Sequence, residues 1–99
     1  MTTLAETLAW LDGILEPQRF DDVANNGLQL SRRNNAVKKV AFGVDASADF
    51  IERCAEAGAD LAVVHHGISW GGGIKHLEGG VYEVVKRAID SDIAIYASH

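Results

Sequence analysis

The sequence predicts an α/β protein: a βαβαβ parallel-sheet core preceded by an N-terminal helix and an Asn-Gly-Leu-Gln loop. Three observations predict it. From Lys38 onward, short apolar runs ("KKVAFGVD", "DLAVVHH", "DIAIYASH") alternate with amphipathic stretches ("SADFIERCAEAG", "GVYEVVKRAIDS"). The apolar runs are nearly continuous, as parallel strands covered on both faces should be. The connections between them are short, so strand, helix, strand, helix, strand forms one right-handed crossover series.

Each element has its own local reason. Thr3 and Glu6 have capping-box spacing, and Leu4, Leu8, Leu11 and Leu15 then recur on one helical face, giving a helix over 4–14. Gly13 weakens its end and Pro17 stops it. "FDDVANNGLQL" is polar and turn-rich, with Asn26-Gly27 as its sharpest turn signal. No alternating strand precedes that pair, so it reads as a structured loop entering a short strand rather than as a hairpin. The first core strand covers 39–44. Ser47 is a plausible N-cap for a helix over 47–57, with Asp49 at its positive end and Gly58 just past its last turn. The second strand covers 61–65. A helix over 79–90 carries Val81, Val84, Val85, Ala88 and Ile89 on one face, and "DIAIYASH" is the third strand.

The 99 residues suffice for a single small α/β domain with a modest core. A hydrophobic share of 47% against 23% charged excludes a disordered chain. The formal charge is −5. Basic residues cluster no further than Arg32-Arg33 and Lys38-Lys39, so no nucleic-acid partner is expected. No apolar run reaches the ~18 residues of a membrane span, and the N-terminus lacks the pattern of a signal peptide, so no membrane partner is expected and a cytoplasmic location is. Cys54 is the single cysteine; in a helical pattern it reads as a small semi-buried residue.

Parallel strands end along one edge, and ligands in open α/β sheets bind there. The residues at the three strand ends are Asp45, then His65 and His66, then His99. A carboxylate and three imidazoles at one edge form a candidate metal site. Adjacent side chains on a regular strand point to opposite faces. Either the backbone turns after His65, with Gly67 allowing the turn, or the two rings serve two different ions. Histidine suits zinc, iron, nickel or copper, and with carboxylates manganese and cobalt also fit. Two ions roughly 3.5–4 Å apart form the usual clamp for metal-assisted hydrolysis. Trp70 reads equally as loop packing or as a pocket wall. "GISWGGGIKH" lacks the ending of a phosphate-binding P-loop, so its glycines read as plain flexibility. His76 reads as a solvated residue near a helix start. No G-x-S-x-G elbow supports a serine nucleophile.

"NGLQ" (Asn26 to Gln29), "GVDAS" (Gly43 to Ser47), "GADLAVVHHGISW" (Gly58 to Trp70) and "DIAIYASH" (Asp92 to His99) follow the order and spacing of one family. Over nearly its whole length the chain resembles the dinuclear-metal-centre hexameric proteins, the Nif-three-like family that carries the name GTP cyclohydrolase 1 type 2. The resemblance implies that His65 and His66 are metal ligands on different ions of a pair. It places His99 in the second shell or the pocket, where the strand-end and loop readings also set Asp45, Trp70, Asn26 and Gln29. It implies two divalent ions per site in the complete protein (Zn, Fe, Mn, Ni or Co), a small-molecule substrate such as a nucleotide, and a homo-oligomer, the hexamer. The family's other ligands, an aspartate shortly after the His99 position and a later histidine and glutamate, lie beyond this sequence. The chain is therefore expected to be the N-terminal portion of a longer member. The activity implied is metal-dependent hydrolysis. The alternative is a metal-stabilised hexameric binding or adaptor protein without catalysis, and the blandest reading is a βαβαβ module with no metal.

Overall fold

The structure, a computed structural model, describes residues 2–17 and 23–99. Among these residues the elements run β1 (Thr2–Thr3), α1 (Leu4–Leu15), β2 (Gly27–Leu30), β3 (Ala36–Val37), β4 (Val40–Asp45), α2 (Ala48–Glu56), β5 (Leu61–His66), α3 (Gly79–Asp90) and β6 (Ala94–Ala97). The expected helix starts form for the expected reasons. The Thr3 hydroxyl accepts from the Glu6 amide at 3.1 Å, and the Glu6 carboxylate accepts from the Thr3 amide at 3.1 Å. The Ser47 hydroxyl accepts from the Phe50 amide, also at 3.1 Å. Each cap supplies a partner for an N–H that the helix itself cannot satisfy.

The main sheet has the order β2-β6-β5-β4. β4 and β5 are parallel, as are β5 and β6, with Val40 opposite Leu61 and Leu61 opposite Ala94. This is the expected βαβαβ core. The alternation of side chains along its strands builds two layers. Leu61, Val63, Ala94 and Tyr96 pack with Leu4 and Leu11 of α1 on one face. Ala62, Val64, Ile95 and Ala97 pack with Ile51 and Cys54 of α2 and Val84 and Ala88 of α3 on the other. β5 and β6 are thus covered on both faces, which is why their sequences are apolar at nearly every position. Cys54 is buried, and burial pushes its thiol up, away from reactivity.

The structure amends four details of the sequence reading. The turn-rich segment enters a short strand as expected, but earlier than read: Gly27 to Leu30 are themselves that strand, antiparallel to β6. Gly27 enters it at a φ of 105°, which a side chain would oppose. The third core strand is shorter than "DIAIYASH", because Asp92 sits in the left-handed region at φ 53° and ends the turn out of α3. β1 and β3 pair as a short antiparallel ribbon that no periodicity announced. The glycines after Trp70 are not merely pliable. Gly73 N–H closes a turn onto the Trp70 carbonyl at 2.9 Å, with Gly71 at φ 53° and Gly73 at φ 97°. Such turns need residues that tolerate positive φ.

Candidate metal centre

Asp45 ends β4, His65 and His66 end β5, and His99 follows β6, so parallel pairing carries all four to one edge. Alternation alone would send His65 to the α1 face and His66 to the α2 and α3 face. At a strand end no further residue separates them, and the two rings meet over the edge with centroids 4.5 Å apart and planes tilted by 50°. The His99 ring stacks on His65 at 4.8 Å, with planes 11° apart. One ligand atom from each of His65, His66 and His99 lies within 4.8 Å of the others. Among the described residues this is the one such group of metal-ligating side chains.

The imidazoles are oriented by acceptors behind them. His66 Nδ1 donates to Asp45 Oδ1 at 2.7 Å. His65 Nδ1 donates to the Ser98 carbonyl at 3.2 Å. A carbonyl or an ionised carboxylate can only accept, so these bonds select, for each neutral ring, the tautomer with its proton on Nδ1 and its lone pair on Nε2. This is the arrangement in which a metal-ligating histidine is usually held. The donor set suits a divalent ion, and one ion bound through all three imidazoles would draw their nitrogens closer than 4.8 Å. A bridged pair of ions would need carboxylate ligands besides these three rings.

Two segments lock the edge. The backbone of Ala24 bridges Trp70, and Asn25 N–H donates to the Ser69 carbonyl at 3.0 Å. Gln29 is a clamp. Its Oε1 accepts from Ile68 N–H at 2.7 Å, and its Nε2 donates to the Asn25 carbonyl at 2.7 Å and the Ser69 carbonyl at 3.2 Å. Asn26 Oδ1 accepts from the His99 amide at 2.9 Å. Asn26 and Gln29 thus hold the segments that carry the histidines. Gly67 serves the same clamp, which corrects its reading as a turn residue. A Cβ there would land on Gln29 Oε1 and come within 2.8 Å of Ala97 Cβ, so close approach is what demands glycine. Sequence reasoning missed Asn25, whose side-chain amide donates to Ser69 Oγ at 2.6 Å. It stands in the same turn-rich segment as Asn26, but which of two adjacent asparagines reaches the site depends on tertiary pairing.

Trp70 stands beside the cluster, its ring 5.2 Å from His99 and edge-on, and 6.1 Å from His66. It also walls a cleft of about 430 Å³ bounded by Ala46, Ser47, Gly67, Ile68 and Val84. Trp70 thus lines this cleft and also packs the loop through its bridge to Ala24. His76 lies exposed in the segment before α3 and outside the histidine group.

An α/β protein with three imidazoles gathered at the carboxyl edge of a parallel sheet is the class that fold and site define. The chain belongs to the Duf34/NIF3 (NGG1p interacting factor 3) family, whose sequence profile matches residues 2–99. It is 43% identical over 96 residues to a GTP cyclohydrolase 1 type 2 homolog of Archaeoglobus fulgidus, covering 97% of this chain and 38% of that one. A Treponema pallidum protein of the same name is 49% identical over 78 residues, covering 79% and 27%. The chain therefore spans well under half the length of these relatives. Among solved structures, TTHA1606 from Thermus thermophilus superposes with a TM-score of 0.91 at 30% identity, over 99% of this chain and 40% of that one. Protein ybgI, described as of unknown function, superposes at 0.90 and 30%, over 99% and 39%.

Proposed function

We propose that the chain carries the histidine part of a metal centre in a metal-dependent hydrolase. Its substrate would be a small heterocyclic molecule, with a nucleotide such as GTP as the first candidate. The observation that carries the reading is the convergence of His65, His66 and His99, two of them oriented by a hydrogen bond at Nδ1. A divalent ion (Zn, Fe, Mn, Ni or Co) bound there supplies an activated water and a Lewis acid for hydrolysis. The protein's own residues would do the rest. Asp45 and the Ser98 carbonyl fix two ring orientations, while Gln29 and Asn26 hold the loops. Trp70 and the cleft beside it would seat a planar ring, since a largely apolar slot of this size suits a small ligand. The names of the curated relatives support the nucleotide. A second ion, as in a dinuclear centre, would draw on residues outside this sequence. The working protein is proposed to be cytoplasmic and a homo-oligomer, a hexamer in its complete form. Among the described residues no helix is long and apolar enough to cross a membrane.

The test is to load the protein with each of the five metals, measure metal content, and follow GTP by chromatography with and without chelator. Metal-dependent turnover lost in His65→Ala and His66→Ala is expected. Protein that binds no metal under any loading condition would sink the hydrolase reading. Bound metal without turnover of any nucleotide would favour the binding or adaptor role.

A further inference from the structure

β4 is an edge strand that other proteins would blunt. Among the described residues it pairs with β5 on one side and with no strand on the other. Its register with β5 runs without a bulge, and it contains no proline. Among the described residues α1 lies over β5, β6 and Val40 and leaves the rest of the β4 flank of that face uncovered, with Phe42 69% exposed and Val44 62% exposed. A six-residue, bulge-free and largely apolar edge is a template for pairing with another chain.

The residues along this edge are complementary to themselves. Consider an antiparallel copy with the two-fold axis at Phe42. Phe42 then faces Phe42, Val40 faces Val44, and Lys39 faces Asp45 at both ends. Directly opposed aromatic, β-branched and opposite-charge pairs are the ones that stabilise a sheet. Centring the axis one residue earlier or later removes the Lys39–Asp45 pair. Parallel pairing in register sets Lys39 beside Lys39 and Asp45 beside Asp45, which opposes association. Lysine usually guards an edge; here the antiparallel copy turns that guard into a contact. Both charged groups retain capacity for it. Lys39 Nζ uses one of its three donors on the Ala57 carbonyl, and His66 occupies Asp45 through Oδ1.

We infer that β4 is a homotypic docking edge: two copies of this chain pair antiparallel along β4 about a two-fold axis at Phe42, making one continuous eight-stranded sheet. A closed two-fold contact of this kind also fits within an even-numbered ring. The pairing names one contact of the proposed oligomer and does not depend on bound metal.

The experiment uses mass measured by light scattering on metal-free protein, with far-UV circular dichroism to show that each variant is folded. The wild-type chain is expected as a dimer at micromolar concentration. Phe42→Lys and Phe42→Glu place like charges across the axis, so each alone is expected to be monomeric. Mixed in equal amounts, they place lysine opposite glutamate and are expected to regain the dimer. A wild-type monomer would overturn the pairing, leaving this edge to be covered by the further residues that longer relatives carry. Variants that keep the wild-type mass would overturn it too, placing the contacts of the oligomer on other faces. A mixture that stays monomeric would show that Phe42 does not face its own copy.

Discussion

At the residue scale, two residues behind the imidazoles, Asp45 and Gly67, decide how the histidines stand. Asp45 fixes the His66 ring by accepting from its Nδ1 at 2.7 Å. Without that acceptor the ring can rotate or move its proton to Nε2, and both remove a donor from the site. Partners of this kind are typically worth 10–100-fold in metal affinity. Titration calorimetry should therefore find Asp45→Ala weaker than wild type by about that factor, with the stoichiometry unchanged; equal affinities would mean that His66 needs no orienting group. Gly67 acts through packing. Gly67→Ala has to displace Gln29 from the Ile68 amide and press on Ala97. Forcing an added methyl group into an occupied space costs about 1–3 kcal/mol. A urea midpoint unchanged by this substitution would show that the Gln29 clamp yields freely.

At the scale of elements, the strand ends opposite the site are tied by one buried cation. The Arg32 side chain, only 6% exposed, reaches Asp60 at 3.2 Å and Asp92 at 3.3 Å. It also donates to the backbone carbonyls of Asp92 and Ala36. This joins the segment after β2 to the turns that enter β5 and β6. Sequence patterning showed the helices and the three core strands, because caps and periodicity are local. It could not show this tie. Arg32-Arg33 looks like a surface pair until the fold brings two aspartates from 28 and 60 residues away. Asp60 and Asp92 are 20% and 34% exposed and keep their backbone N–H partners, so Arg32→Ala should lose about 1–3 kcal/mol at neutral pH. The same tie predicts an acid response. Burial raises the Asp60 carboxyl, but the Lys38 and Lys39 amides and the Arg32 charge outweigh it and hold it below the ordinary range. Asp92 is held low by the Arg33 amide first, then the Asn34 amide and Arg32, against burial. A depressed native value contributes stability that is present above the unfolded value, near 3.9, and is lost as pH falls through the native one. Urea unfolding at pH 7 and at successively lower pH below ~4 should show the gap between wild type and Arg32→Ala narrowing. A gap that stays constant would mean that Arg32 acts by packing alone.

At the scale of the whole molecule, topology makes the site. His65 and His66 are visible in the sequence because they are adjacent, and Asp45 and His99 because each closes an apolar run. Their convergence is legible in the sequence too, since parallel strands end together. How the rings share space is not. The strand ends bring His99 to the site and the resemblance sets it in the second shell or the pocket; the fold stacks it on His65, in one group with His65 and His66. Strand parity fixes where a side chain leaves the backbone, but not how a ring turns once the strand has ended. This difference has a measurable consequence for the stability of the entire fold. An ion that binds only the folded chain stabilises it by about 2.7 kcal/mol at 100 times its dissociation constant. For a domain of this size that is a rise in melting temperature on the order of 10–20 °C. Zinc should produce this rise in wild type and in His76→Ala, whose imidazole lies outside the group. It should be lost in His65→Ala and His66→Ala. If His99 supplies the third ligand, His99→Ala should lose it as well, while retaining the metal-free melting temperature of an exposed substitution. Zinc protection that survives in His99→Ala would return this residue to the pocket wall and leave the ion on two imidazoles.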